Sequence, residues 1–238
     1  MDLGHKVEEL IQPHILCRVS LFGIEIPISH DLVVLWICMA IIVLLTYIFV
    51  RNLRTSKPGK VQNVVELFVE FINNFEKQYV GHAWKFVAPV LGSLLLLIGL
   101  TNIVGLINII PGFAMEAPTK NLGITGGFAL FAILFVILST LKFKGVKGFA
   151  KSLIDPLPLV LPFKLLEYII RPMSLALRLF GNVLGAVIIM QLIYFAIPLV
   201  LPSFASMYFD IFDGFLQAFV FVFLTTLYIS GNLGEEEV

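Results

Sequence analysis

From Pro162 to Val200 the chain is mostly apolar for 39 consecutive residues, and this run constrains the fold more than any other feature. As one helix rising ~1.5 Å per residue it would be ~58 Å long, nearly twice the ~30 Å hydrocarbon core of a bilayer. It cannot stand upright in a membrane. It must tilt steeply, break near Pro172, or lie partly along the surface, with Pro198 and Pro202 marking its far end. Four other apolar runs have the length of an ordinary span, about 20 residues: 32–50, 86–110, 124–141 and 207–228. Of all residues 59% are hydrophobic and 13% charged, against about 45–50% and about 25% in a soluble domain. The expectation is an all-α polytopic membrane protein of five crossings, at 32–50, 86–110, 124–141, 162–200 and 207–228. Residues 1–31 then form an extracytoplasmic segment and 32–238 a single transmembrane domain. The apolar run after Asp31 lacks a basic cluster before it, unlike a secretory signal, so the first span is expected to stay in the mature chain.

The segments between spans set the orientation. The first span ends at Arg51, Arg54, Lys57 and Lys60 around the Pro58-Gly59 turn signal, and the third ends at Lys142, Lys144, Lys147 and Lys151. Basic residues mark cytoplasmic loops, so both clusters are read as cytoplasmic, with the N-terminus outside and the C-terminus inside. Eleven Lys/Arg then face the cytoplasm and three the outside. Residues 61–80 place Val61, Val64, Val65, Phe68, Phe71, Ile72, Phe75 and Tyr79 at helical spacing, with Gln62, Asn63, Glu66, Glu70, Asn73 and Lys77 between them. This pattern predicts an amphipathic helix lying on the cytoplasmic membrane face.

Several functions are disfavoured. Zero net charge leaves no global basic footprint for nucleic acid. Cys17 and Cys38 lack CxxC spacing and His5, His14, His30 and His82 do not cluster, so no metal site is indicated. No phosphate-binding GxxxxGK[ST] loop is present, and no cofactor is expected. GxSxG, HExxH and paired catalytic acids are missing from the spans, which counts against an intramembrane enzyme. A stand-alone transporter or channel would usually show internal repeats with paired broken helices, and the pattern at 171–182 has no second copy.

The chemistry must therefore lie within the bilayer. A charge at mid-membrane costs about 2.5–3.5 kcal/mol even on lenient insertion scales, and marks a functional site by default. Arg178 is such a charge, near the middle of the longest run, and no acid of that span is in helical register with it. Its counter-charge is expected on another helix or another chain. Ser174, Arg178, Gly181, Asn182 and Gly185 share one helical face, small and polar, of a kind that admits close approach of a second helix. In the last span Asp210, Asp213 and Gln217 recur at i, i+3 and i+7, a second polar stripe that could line a wet path. Alternatively, the two aspartates are simply acids at a helix start. Gln191 and Tyr194 lie off the Arg178 face and receive no role.

The stretch Arg171-Pro172-Met173-Ser174-Leu175-Ala176-Leu177-Arg178-Leu179-Phe180-Gly181-Asn182 closely resembles the signature of subunit a of the bacterial F-type ATP synthase. The segment Leu216-Gln217-Ala218-Phe219-Val220-Phe221 supports it, as do Ala117-Pro118-Thr119 with Asn121-Leu122 and Thr125, and the run from Phe143 to Phe149. The resemblance covers roughly residues 31 to 233. It implies a stator subunit of the membrane sector, non-catalytic by itself, partnered by a c-subunit ring, a b-subunit stalk, other synthase subunits and membrane lipid. It implies that Arg178 faces ring carboxylates, that Gly181 and Gly185 pack against the ring, and that Ser174, Asn182, Asp210, Asp213 and Gln217 serve two offset half-channels. It also implies that the last two helices form a long tilted hairpin, and that the chain sits in the bacterial inner membrane. Two positions depart from the pattern: Val187 stands where many members carry glutamate, and Lys120 where an acid is common. The translocated ion, H+ or Na+, stays open, because its binding carboxylate belongs to the c subunit.

Overall fold

The computed structural model describes residues 15–21, 24–51, 53, 59–104, 117–154, 161–196, 205 and 207–234. From His30 onward these residues are helical apart from short connections, and five stretches are long and apolar enough to cross a membrane: His30–Arg51, Lys60–Ile103, Leu122–Phe149, Leu161–Met190 and Ile211–Leu233. The all-α polytopic architecture is therefore observed. Ahead of it lies an element that the hydropathy pattern did not predict, an antiparallel hairpin of β1 (Ile15–Leu21) and β2 (Ile24–Ser29). Its alternation of Ile15, Cys17, Val19 and Leu21 has the period of two that a strand requires.

Six α-helices follow among the described residues. Helix α1 spans His30–Arg51, and Ser29 Oγ accepts a bond from the Leu32 amide at 3.4 Å, satisfying one orphan donor of its first turn. Helix α2, Lys60–Val80, is the expected amphipathic helix. It ends at Gly81, whose φ of 56° is forbidding for residues with a Cβ, and this turn redirects the chain through a short 3-10 segment into α3, Trp84–Ile103. Helix α3 starts two residues before the predicted span and its described part ends at Ile103, while residues 105–110 of that prediction lie outside the described residues. Because of the earlier start, Pro89 falls beyond the first turn, yet the helix continues through it.

Helix α4, Leu122–Ile154, runs past the predicted end at 141 and carries a non-helical residue at Gly145 (φ 69°, ψ 172°), so the basic cluster straddles a break. Helix α5 spans Leu161–Ala196, 36 residues without interruption at Pro172. Of the three ways to fit the long run into a bilayer, a break at Pro172 is thereby removed. At ~1.5 Å per residue α5 is ~54 Å long; positions 197–200 of the predicted span lie outside the described residues. A π-helical stretch, Met207–Asp213, leads into α6, Gly214–Leu233, so the last span extends five residues past the predicted end at 228.

Packing falls into two units, each formed of one portion of several helices. The first comprises the described residues of Met1–Ile42, Leu97–Gly127 and Ala176–Ala218. Its buried side chains include Val34, Cys38, Ile98, Ile124, Leu179 and Ala218, with Thr101, Asn102, Thr119 and Gln217 buried among the polar ones. The second comprises Val43–Leu96, Phe128–Leu175 and the described residues of Phe219–Val238. Aromatic rings dominate it: Phe75 lies 5.0 Å from Tyr79, 5.7 Å from Phe219 and 5.8 Å from Phe223 between ring centroids, in tilted arrangements that such rings favour. Phe86 lies 5.6 Å from Phe135, and the Lys142 ammonium sits 3.6 Å from the Phe86 centroid.

Candidate functional site

In the first unit the site grows from α5 and the start of α6. Arg178 is exposed and makes no hydrogen bond or ion pair among the described residues. A Cβ built on Gly181 or Gly185 would meet nothing within 4 Å, so the described residues do not themselves require glycine at either position. The five-residue stripe predicted on α5 divides. Arg178 and Gly181 point outward and Gly185 is half-buried, whereas Asn182 turns to α6 and its Nδ2 donates to Gln217 Oε1 at 3.2 Å. Ser174, half-buried, belongs to the second unit.

Gln217 is only 4% exposed, with its Oε1 engaged by Asn182 and its Nε2 without a partner among the described residues. A buried amide donor left unpaired costs about 1–3 kcal/mol. Both hydrogens of the carboxamide are thus uncommitted among the described residues. The predicted i, i+3, i+7 stripe of Asp210, Asp213 and Gln217 needs correction. Residues 207–213 are π-helical, so the α-helical phase between Asp210 and Asp213 does not hold, and only the step from Asp213 to Gln217 enters α6. Asp213 is half-buried; the side chain of Asp210 lies outside what is described.

The sequence reading missed Asn102. It is 4% exposed, donates from Nδ2 to the Gly214 carbonyl at 2.9 Å, and accepts at Oδ1 from Thr119 Oγ1 at 2.7 Å. Gly214 makes this possible, since a Cβ there would stand 2.9 Å from Asn102 Cβ. The π-to-α junction below Asp213 is therefore anchored to α3. A signal was present: Thr101-Asn102 is a polar pair inside an otherwise apolar run. Nearby in the same unit, Asn121 Nδ2 donates to buried Asp31 Oδ2 at 3.1 Å. Burial lowers the Lys120 ammonium below the usual lysine range, and the Asp31 charge partly offsets it.

The second unit holds a contrasting pair of charges. Arg171 binds Glu167 one turn earlier, with Nε donating at 3.0 Å and Nη2 donating to the same oxygen, and its guanidinium lies 4.6 Å from the Tyr228 ring centroid. The second residue that the sequence reading passed over is Glu76. It has no exposed surface at all, and Thr226 Oγ1 lies 2.8 Å from its Oε1. Its phase gives it away, because Ile72, Glu76 and Val80 are spaced i, i+4, i+8 and all three are buried. Among the described residues no group of three or more His, Cys, Asp or Glu could hold a metal ion.

The sequence profile of the ATP synthase A chain family matches residues 32–230. A relative from Propionigenium modestum, "ATP synthase subunit a, sodium ion specific", is 31% identical over 222 residues, covering 89% of this chain and 76% of that protein. The "ATP synthase subunit a" of Moorella thermoacetica is 33% identical over 206 residues, covering 86% of this chain and 91% of its own. The protein of the same name from Nitratidesulfovibrio vulgaris is 35% identical over 202 residues, covering 82% of each chain.

Proposed function

The chain belongs to the ATP synthase A chain family, a multi-pass stator subunit of the membrane sector that couples ion flow to ATP synthesis, and we propose that its coupling is carried by Arg178. The carrying observation is an exposed guanidinium without a partner among the described residues, on a helix whose Gly181 leaves open space beside it. The guanidinium stays protonated at any physiological pH. A ring of c subunits, each bringing one ion-carrying carboxylate, is the partner that such a face suits. The carboxylate arriving opposite Arg178 is attracted, releases its ion, and cannot be bypassed by a direct leak. Gly181 and Gly185 let the ring helices approach, and Asn182 and Gln217 hold the α5 and α6 surfaces together beside the cation.

The remaining roles follow the polarity of the chain. Basic clusters at 51–60 and 142–151 face the cytoplasm, which leaves the N-terminus outside and the C-terminus inside, in a bacterial inner membrane. Asp210, Asp213 and Gln217 serve the outer half-path and the Ser174 side of α5 the inner one. The b-subunit stalk and lipid cover other faces, and the subunit binds no nucleotide and catalyses no reaction alone. The ion is a proton or sodium; the Propionigenium modestum relative is named for sodium. One elementary charge crossing 100 mV supplies about 2.3 kcal/mol, so several ions must pass per ATP and a leak past Arg178 would waste them. Arg178→Ala tests this in the complete complex reconstituted in vesicles. Ion-driven ATP synthesis is expected to vanish while the subunit still inserts and assembles, because removal of an intramembrane charge lifts a desolvation cost. Synthesis near the wild-type rate in the variant would overturn the reading.

A further inference from the structure

The buried acid of α2 has no place in the mechanism above. Glu76 is fully buried against Thr226 of α6, and its Oε2 has no partner among the described residues. Aromatic rings join the same two helices beside the pair, for Phe75 and Tyr79, one position before and three after Glu76 along α2, both contact Phe223, which stands three residues from Thr226. An ionised carboxylate with one oxygen unsolvated among aromatic rings is strongly disfavoured.

The hydrogens support the same conclusion. The Thr226 hydroxyl lies 2.8 Å from Glu76 Oε1 and 3.1 Å from the Val222 carbonyl. A hydroxyl has one hydrogen and can donate to only one of them. Back-donation to the carbonyl one turn earlier is the habit of buried helix threonines, and Thr225 makes that same bond to Phe221 at 2.9 Å. If Thr226 does likewise, its contact with Glu76 needs a second hydrogen, and only a protonated carboxyl supplies one. A sodium ion does not fit the place, since it requires a shell of several oxygens, whereas among the described residues Glu76 Oε1 meets only the Thr226 hydroxyl and Oε2 meets no partner.

We propose that Glu76, paired with Thr226, holds a proton and is a relay of the cytoplasmic half-path, passing protons by turns to and from water at that membrane face. This rests on the half-path reading above. The step moves one proton and no electrons. Glu76-COOH releases H+ toward one side, and the carboxylate, briefly held by the Thr226 hydroxyl turned toward it, regains H+ from the other. The burial of a carboxyl in the apolar stripe of α2, where a hydrocarbon side chain would pack at lower cost, is accounted for by that traffic.

The test uses the complete complex in vesicles, reading proton and sodium flux through the membrane sector after removal of the catalytic sector. Glu76→Gln keeps the size and can still donate to Thr226 Oγ1, but cannot release a proton. Proton flux is expected to fall about tenfold or more, the lower range of what a positioned proton-transfer group contributes, with assembly unchanged. Glu76→Asp should recover part of the flux. If Glu76→Gln conducts protons at the wild-type rate, or if the wild-type complex carries sodium and no protons, the proposal is overturned. Should Glu76→Gln fail to assemble, infrared difference spectra decide: a protonated-carboxyl stretch present in the wild type and shifted in Glu76→Asp supports a proton on Glu76, and its absence overturns it. Arg178→Ala measured alongside separates the two claims. Loss of synthesis there with normal flux in Glu76→Gln removes only the Glu76 relay, whereas intact synthesis in Arg178→Ala removes the reading on which the relay depends.

Discussion

Helices α5 and α6 are both apolar, both marked by polar residues, and treated in opposite ways. The most apolar window of α5 is 17% buried within the chain and that of α6 39%. On α5 the cation is exposed and Gly181 has empty space around it; on α6 Gln217 and Thr226 are buried and bonded, and Gly214 is small because Asn102 presses on it. Small residues therefore mean different things on the two helices. Gly214 is required by this chain's own packing, whereas nothing among the described residues demands a small residue at Gly181. Polar residues divide likewise, with Gln217 Oε1 and Thr226 Oγ1 of α6 engaged in bonds and Arg178 of α5 making none among the described residues.

Glycine replacement breaks or sharpens that contrast most directly. Gly214→Ala should lower thermal stability by about 1–3 kcal/mol, the usual cost of overpacking, and should reduce the yield of assembled complex. Gly181→Ala should leave the stability of the subunit in detergent unchanged and impair only the rotating complex; a stability loss equal to that of Gly214→Ala would erase the distinction. Next in size is Gln217→Leu, which leaves Asn182 without its acceptor. The expected cost is about 1 kcal/mol, read by thermal unfolding in detergent, together with slower ion flux in vesicles. Smallest is Arg171→Ala. Its bond to Glu167 is an i, i+4 pair with half the Glu167 side chain exposed, a kind worth about 0.3–0.5 kcal/mol, and ATP synthesis should persist. Loss of synthesis comparable to Arg178→Ala would mean that the two arginines are not as different as their surroundings imply.

What could be read in advance depended on contrast with neighbours. Arg178 stood out because the residues around it are uniformly apolar, and the five spans because apolar length is hard to mistake. Glu76 escaped notice because α2 also carries Glu66 and Glu70, and only its phase with Ile72 and Val80 separates it from them. Asn102 was concealed differently, as one amide in a long apolar run, where its importance comes from Thr119 and from Gly214, 112 positions away along the chain. The β1–β2 hairpin preceded the apolar spans and was read as a mere polar segment. That α5 runs unbroken through Pro172 was undecidable from local preference, since a proline costs a backbone bond but does not dictate whether neighbouring turns compensate.

The π-helical stretch at Met207–Asp213 has a consequence for how this chain can change over generations. An α-helix turns once in 3.6 residues, so adding or deleting one residue rotates everything beyond it and scrambles the faces of a membrane span. A π-helical turn already holds a surplus residue relative to an α-helical one. The anchor on one side is Gly214, fastened to Asn102. A one-residue deletion between Met207 and Asp213 can thus be absorbed by relaxing the stretch toward an α-helix, with Gln217 and Thr226 left in place. Such a deletion would re-aim the residues ahead of Gly214, Asp210 and Asp213 among them, which makes this short stretch a place where lineages could change length without disturbing the remainder of α6.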